Sequence, residues 1–133
     1  MQTSRVNPEA VHPPVGTYSH AVRVETADGT SIYVSGQIAL DAEGTLVGPG
    51  DMKVQTRQVF ENLRAILAAN GATFADVVKI GTYLTTLDDL AGMREVRSEF
   101  LTSEPPASTA VQVVALVVPD ASIEIDLVAV VPA

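Results

Sequence analysis

The chain has 133 residues, 47% of them hydrophobic, which is enough for the apolar core of one domain spanning residues 1–133. It contains no cysteine, which excludes disulfides, thiolate nucleophiles and cysteine-ligated metals and favours a reducing compartment, so we expect a cytoplasmic protein. Its net charge of −8 opposes the attraction on which non-specific nucleic-acid binding depends, so we expect no nucleic-acid partner.

The N-terminal residues 1–14 contain prolines but no long apolar run, which predicts an extended arm rather than a secretory signal. The longest uninterrupted apolar run covers residues 113–118 and is far shorter than the roughly 20 residues that cross a bilayer. We therefore expect no membrane partner.

A β-hairpin is predicted near the start. Residues 21–25 partly alternate between apolar and polar side chains, and Asp28-Gly29 then gives a turn before the apolar residues 32–34. The pair Ser35-Gly36 ends the second strand, where glycine allows a bulge or a close approach of another segment.

The middle of the chain predicts two helices separated by a strand. Asp51 is an N-cap candidate, Phe60, Leu63 and Leu67 follow helical spacing, and Asn70-Gly71 supplies a stop. Residues 77–84 then form a buried strand. A second amphipathic helix follows, with a Thr86–Asp89 capping box, and ends near Ser103.

Two more strands are predicted over residues 109–118 and 122–130, after a proline break at Pro105-Pro106. The order of strands, helix, strand, helix and two strands predicts an α+β fold, with two helices packed on one face of a mixed sheet.

With these elements in place, the sequence resembles the Rid (YjgF-like) family from about Pro14 to Val130. The resemblance is carried by the order and spacing of Gly16-Thr17-Tyr18-Ser19, Tyr33-Val34-Ser35-Gly36-Gln37-Ile38, Gln55-Thr56-Arg57-Gln58, Asp76-Val77-Val78-Lys79 and Ile123-Glu124-Ile125-Asp126. It implies a chorismate-mutase-like fold, a homotrimer, and small-molecule clefts between subunits, without a cofactor or metal.

The resemblance also implies a chemistry, the hydrolysis of 2-imino acids or their enamine tautomers. Carried over to this chain, the catalytic residues are Glu124, which handles water, and Tyr18, and the turn Ser35-Gly36-Gln37 lines the cleft. The position of the arginine that binds the substrate carboxylate is Ser108, followed by Thr109, so the charged bidentate anchor is missing.

Two arginines of the second helix are candidates to replace it. Arg94 and Arg97 lie three residues apart on one helix face, and Arg94 is predicted to be a substrate-binding residue. The better interpretation from the sequence alone is that both are solvated or paired with Glu95 or Glu99.

Each candidate also has a structural interpretation. Glu124 lies between two isoleucines of a predicted strand, so its side chain shares a face with that of Asp126. The second carboxylate would raise the pKa of Glu124. A polar stripe that faces solvent gives the same sequence pattern. Tyr18 is equally consistent with packing at an interface. His12 and His20 lack the spacing of metal ligands, so no metal site is predicted.

Two functional hypotheses remain open. The first is a hydrolase acting on imine, enamine or related C–N substrates. The alternative is a non-catalytic trimer that binds a metabolite or acts as a scaffold. Ribonuclease activity, which has been attached to the family, fits the acidic charge poorly.

Overall fold

The computed structural model describes residues 1–101 and 104–133. Within them the chain forms a mixed α+β fold, a six-stranded sheet with two α-helices. In chain order the elements are β1 (Gln2–Val6), β2 (Ala21–Thr26), β3 (Gly29–Gln37), α1 (Met52–Ala69), β4 (Val77–Leu84), α2 (Leu90–Ser98), β5 (Ala107–Gln112) and β6 (Ile123–Pro132).

The strands are arranged in the order β1-β2-β3-β6-β4-β5. Neighbouring strands are antiparallel except for β4 and β5, which are parallel, so the predicted mixed sheet is confirmed. The last strand of the chain, β6, therefore lies in the middle of the sheet between β3 and β4. This central position brings Glu124 of β6 next to both neighbours.

One face of the sheet packs against the helices and forms the core. Ile123 and Ile125 of β6 are fully buried there, as are Phe60 and Leu63 of α1. The predicted limits of α1 are also confirmed, since Asp51 caps its first amides and the Asn70 amide closes its last turn. In the described part of the chain, neither helix is long and apolar enough to span a membrane.

The start and end of α2 differ from the prediction. Asp89 is itself the N-cap, since its Oδ1 accepts a hydrogen bond from the Gly92 amide at 3.0 Å. The predicted Thr86–Asp89 capping box was wrong, because the Thr86 hydroxyl accepts from Asp88, before the helix. The helix ends at Ser98, after which the amides of Glu99 and Phe100 donate to carbonyls three residues earlier. The predicted end near Ser103 lies outside the described residues.

Two strand predictions also need correction. Within the arm predicted for residues 1–14, Gln2–Val6 pairs with β2 and is a strand of the sheet. The strand predicted over residues 109–118 is β5, which begins at Ala107 and ends at Gln112. Among the described strands β5 pairs with β4 alone, and because β4 ends at Leu84 the pairing stops there.

Candidate functional site

A carboxylate lies against a glycine in the middle of the sheet. Between Val34 and Gln37 of β3 the register with β6 shifts, so that Ser35 and Gly36 form a bulge. A Cβ added to Gly36 would lie 2.8 Å from Cδ of Glu124, too close for any real contact. The predicted bulge and close approach are therefore both present, although β3 continues to Gln37.

The Glu124 side chain is half-buried on the sheet face opposite the helices, as the alternation of β6 predicts. Burial, and after it the negative charge of Asp126, raises the pKa of Glu124 above its ordinary value. The ion pairs among the described residues leave Glu124 without a cationic partner. A carboxylate in this state is suited to accept a proton from water.

A tyrosine hydroxyl lies next to the second carboxylate. Tyr83 donates a hydrogen bond from its hydroxyl to Oδ2 of Asp126 at 3.1 Å. This hydrogen bond, together with the charge of Asp126, raises the pKa of Tyr83. Tyr83 is paired in register with Glu124, so Tyr83, Glu124 and Asp126 form one polar group on the open sheet face.

Two predicted ligand-binding residues are already engaged in internal hydrogen bonds. Ser35 donates its hydroxyl to the Ser19 carbonyl at 2.6 Å. The Gln37 side chain is buried, and its amide donates to Nδ1 of His20 and to the Ser35 carbonyl, each at 3.1 Å. Both side chains therefore hold the loop that carries Tyr18 in place, and Ser35 also lines a pocket on the open sheet face.

Tyr18 remains accessible on that loop. Its side chain is 41% exposed, and its hydroxyl accepts a weak hydrogen bond from the Val15 amide at 3.3 Å. The loop rests on a histidine cluster that the sequence did not predict. His20 donates from Nε2 to the His12 carbonyl at 2.6 Å, and burial lowers the pKa of His20, which favours the neutral ring.

The other predicted ligand-binding residues lie in a different part of the chain. Ser108 is paired in register with the buried Ile80, so its side chain faces the helix side, opposite to Glu124. It lines a cavity of about 610 Å³ between α2 and β5, together with Arg94 and Arg97. Thr109 faces the other way, where its hydroxyl accepts from Nζ of Lys79 at 3.1 Å.

Arg97 contacts the serine at the position where the resemblance implies an arginine. Its Nη2 donates to Oγ of Ser108 at 3.1 Å. Of the two predicted alternatives, Arg94 is exposed to solvent, whereas neither arginine pairs with Glu95 or Glu99, because those two carboxylates turn towards α1. The sequence signal that bears on this pairing is the presence of Lys53 and Arg57 on α1, which bind Glu95 and Glu99 respectively.

No metal site is evident in residues 1–101 and 104–133, where no group of three or more histidine or acidic side chains is clustered. The two histidines that do come together bind protein carbonyl and amide groups.

Comparison with known proteins identifies relatives of this chain. A RutC family protein of Pyrococcus abyssi is 46% identical over 100 residues, covering 75% of this chain and 76% of that protein. The 3-aminoacrylate deaminase RutC of Acinetobacter baylyi is 37% identical over 122 residues, covering 92% and 93%. A 2-iminobutanoate/2-iminopropanoate deaminase of Dermatophagoides farinae is 34% identical over 103 residues, covering 77% of each.

Solved structures share the whole fold. RidA from an Antarctic Psychrobacter superposes with a TM-score of 0.85 at 36% identity, covering 96% of this chain and 99% of that one. E. coli TdcF, solved with bound serine, has a TM-score of 0.84 at 27% identity, covering 96% and 98%. The family model described as Endoribonuclease L-PSP matches residues 9–131. The chain therefore belongs to the Endoribonuclease L-PSP family, the family of the RutC and Rid (YjgF) proteins.

Proposed function

We propose that this protein is a hydrolase that converts reactive imines or enamines to carbonyl compounds and ammonia, with Glu124 as the group that moves protons. The observation that carries the proposal is the half-buried Glu124 carboxylate, which has a raised pKa and forms no ion pair within residues 1–101 and 104–133. The substrate class is supported by two relatives that are named deaminases of 2-iminobutanoate and 3-aminoacrylate.

The reaction needs only water and one proton carrier. Glu124 takes a proton from water as the water oxygen bonds to the imine carbon, and this proton passes to the nitrogen. In the resulting carbinolamine the C–N bond breaks, the hydroxyl proton is carried by Glu124 to the nitrogen, and a C=O bond forms. Ammonia leaves, and Glu124 returns to its starting state.

The remaining site residues have separate roles in this proposal. Tyr18 is exposed and contacts the bound ligand. Ser35 and Gln37 position the loop of Tyr18 through their hydrogen bonds, and Gly36 leaves room for the Glu124 carboxylate.

We further propose that the active cleft forms between the subunits of a homotrimer. In one chain, Glu124 and the cavity of Ser108 lie on opposite faces of the sheet, so a second copy is needed to bring such groups together. The open sheet face also exposes Tyr33, Val111 and Val130 by 50%, 42% and 43%, which favours burial against another subunit. Light scattering in solution should give a mass of three times 13.9 kDa, whereas a monomeric mass would contradict the proposal.

The activity is tested by measuring keto acid and ammonia released from enzymatically generated 2-imino acids. Because free imines also hydrolyse in water, the measured quantity is the initial rate above that of a protein-free control. We expect acceleration that is proportional to protein concentration, with equal yields of keto acid and ammonia. No acceleration with 2-imino acids or with neutral imines would favour the non-catalytic, metabolite-binding alternative.

Gly36→Ala should lower turnover while leaving the stability of the fold nearly unchanged. The new methyl group would displace the Glu124 carboxylate, and misplacing a reacting group by about 1 Å can lower the rate about a hundredfold. Stability should change little, because the displaced atoms end a flexible side chain. Steady-state kinetics and thermal melting measure the two effects.

The matched control is Gly44→Ala. An added methyl group meets nothing within 4 Å there, but the residue has a left-handed φ of +82°. This variant should lose about 1–2 kcal/mol of stability and keep its turnover. If Gly36→Ala behaves in the same way as Gly44→Ala, the contact with Glu124 has no catalytic significance.

A further inference from the structure

The cavity between α2 and β5 contains two cationic side chains. Its volume is about 610 Å³, and Arg94 and Arg97 line it together with Ser108 and apolar residues of β4 and α2. No described residue that lines it is acidic. The rest of the cavity wall is largely apolar and includes Leu84, Leu87, Leu90, Met93 and Leu101.

The two carboxylates next to these arginines in the sequence, Glu95 of α2 and its C-cap Glu99, are paired with other cations. Glu95 forms an ion pair with Lys53, and Glu99 accepts a hydrogen bond from Nη2 of Arg57 at 2.6 Å. Both ion pairs join α2 to α1. In a chain with a net charge of −8, this cavity therefore has a local excess of positive charge.

Of the two arginines, Arg97 is the better placed to bind an anion inside the cavity. It is half-buried, whereas Arg94 is exposed. Burial, and after it the charge of Arg94, lowers the pKa of Arg97, so both influences disfavour the cation. The negative charge of a bound anion would offset both influences and favour the cation.

Ser108 fixes the orientation of the guanidinium group. Its hydroxyl accepts one hydrogen bond from Arg97 Nη2 at 3.1 Å. A guanidinium has five N–H donors, so donors remain for a carboxylate, which it can bind through two parallel hydrogen bonds.

We propose that Arg97, positioned by Ser108, binds the carboxylate of a small 2-oxo or 2-imino acid whose apolar substituent packs on the leucine wall. The 2-imino class rests on the proposed function, whereas the carboxylate contact follows from the cavity itself. The charged anchor thus comes from helix α2 instead of strand β5. Arg94 adds positive charge at the rim.

The binding test uses 2-oxobutanoate as the probe and its neutral amide, 2-oxobutanamide, as the uncharged comparison, with titration calorimetry as the readout. The wild-type protein should bind the acid more tightly than the amide. Arg97→Gln should raise the Kd for the acid by roughly ten- to hundredfold, because charged hydrogen bonds are lost, and should leave the Kd for the amide unchanged. Ser108→Ala should raise it by a smaller factor.

Arg57→Gln is the matched control, since it removes the same charge from an exposed arginine that is bound to Glu99 outside this cavity. Its Kd for the acid should equal that of the wild-type protein. Equal affinities of the wild-type protein and Arg97→Gln, or no binding of the acid to the wild-type protein, would overturn the assignment. Circular dichroism checks that each variant is folded.

The outcome is separable from that of the proposed function. Arg97-dependent binding without any acceleration of imine hydrolysis would leave the anion site standing and remove the hydrolase. Hydrolysis of 2-imino acids with the same KM in Arg97→Gln as in the wild-type protein would support the hydrolase and overturn the anion site.

Discussion

Glu124→Gln is expected to lower the turnover of 2-imino acids by about 10²–10⁴-fold, the usual contribution of a positioned general acid or base. Glutamine has nearly the same shape but cannot accept and return a proton at neutral pH. The binding of 2-oxobutanoate should be retained, because the proposed anchor is Arg97. In the wild-type protein, turnover should rise with pH through the raised pKa of Glu124, since the carboxylate is the active form.

The same variant should be more stable than the wild-type protein at pH 7. A carboxyl group whose pKa is raised on folding contributes stability below its unfolded pKa of 4.5, and this contribution is lost as pH rises through the folded pKa. The advantage of Glu124→Gln should therefore appear at neutral pH and vanish below about pH 4.5. Urea unfolding at both pH values measures it. A loss of stability at pH 7 would instead show that Glu124 has a structural role.

Asp126→Asn provides the matched carboxylate control. Asp126 lies on the same face of β6, and its charge is the second cause of the raised pKa of Glu124. This variant should keep most of its turnover, while the acid limb of its pH profile moves to lower pH. An unchanged profile would mean that the two carboxylates do not interact.

Phe60→Ala is expected to reduce the free energy of unfolding by about 3–5 kcal/mol, the usual cost of removing a fully buried phenyl ring. Phe60 is completely buried, stacks on Phe100 at 4.9 Å between ring centroids and lies 5.7 Å from Phe74. These are the three phenylalanines of the chain, so the cluster joins α1 to the end of α2.

Val54→Ala on the same helix is the control for Phe60→Ala. Val54 is 40% exposed, and surface substitutions of this kind usually change stability by about 0.5 kcal/mol or less. Urea unfolding of both variants at one protein concentration avoids a contribution from assembly. A loss for Phe60→Ala no larger than that of Val54→Ala would show that the aromatic cluster can repack without cost.

The sequence by itself determined the features that depend on neighbouring residues. Asp51 and Asn70 delimit α1 because capping groups bind amides and carbonyls within a few residues. Strand alternation correctly turned Glu124 away from Ile123 and Ile125, and Gly36 correctly indicated a bulge with a close contact. The order of such local signals was also enough to predict the family.

Only the tertiary structure decided which distant groups meet. Glu95 and Glu99 pair with α1 instead of the arginines of their own helix because the packing of α1 on α2 brings Lys53 and Arg57 within reach. Ser35 and Gln37 bond to the loop of Tyr18 through contacts that no local pattern encodes. The end of β5 likewise depends on where its neighbour β4 stops, because the backbone hydrogen bonds of a strand join it to a neighbouring strand. The sequence of β5 alone therefore does not set its length.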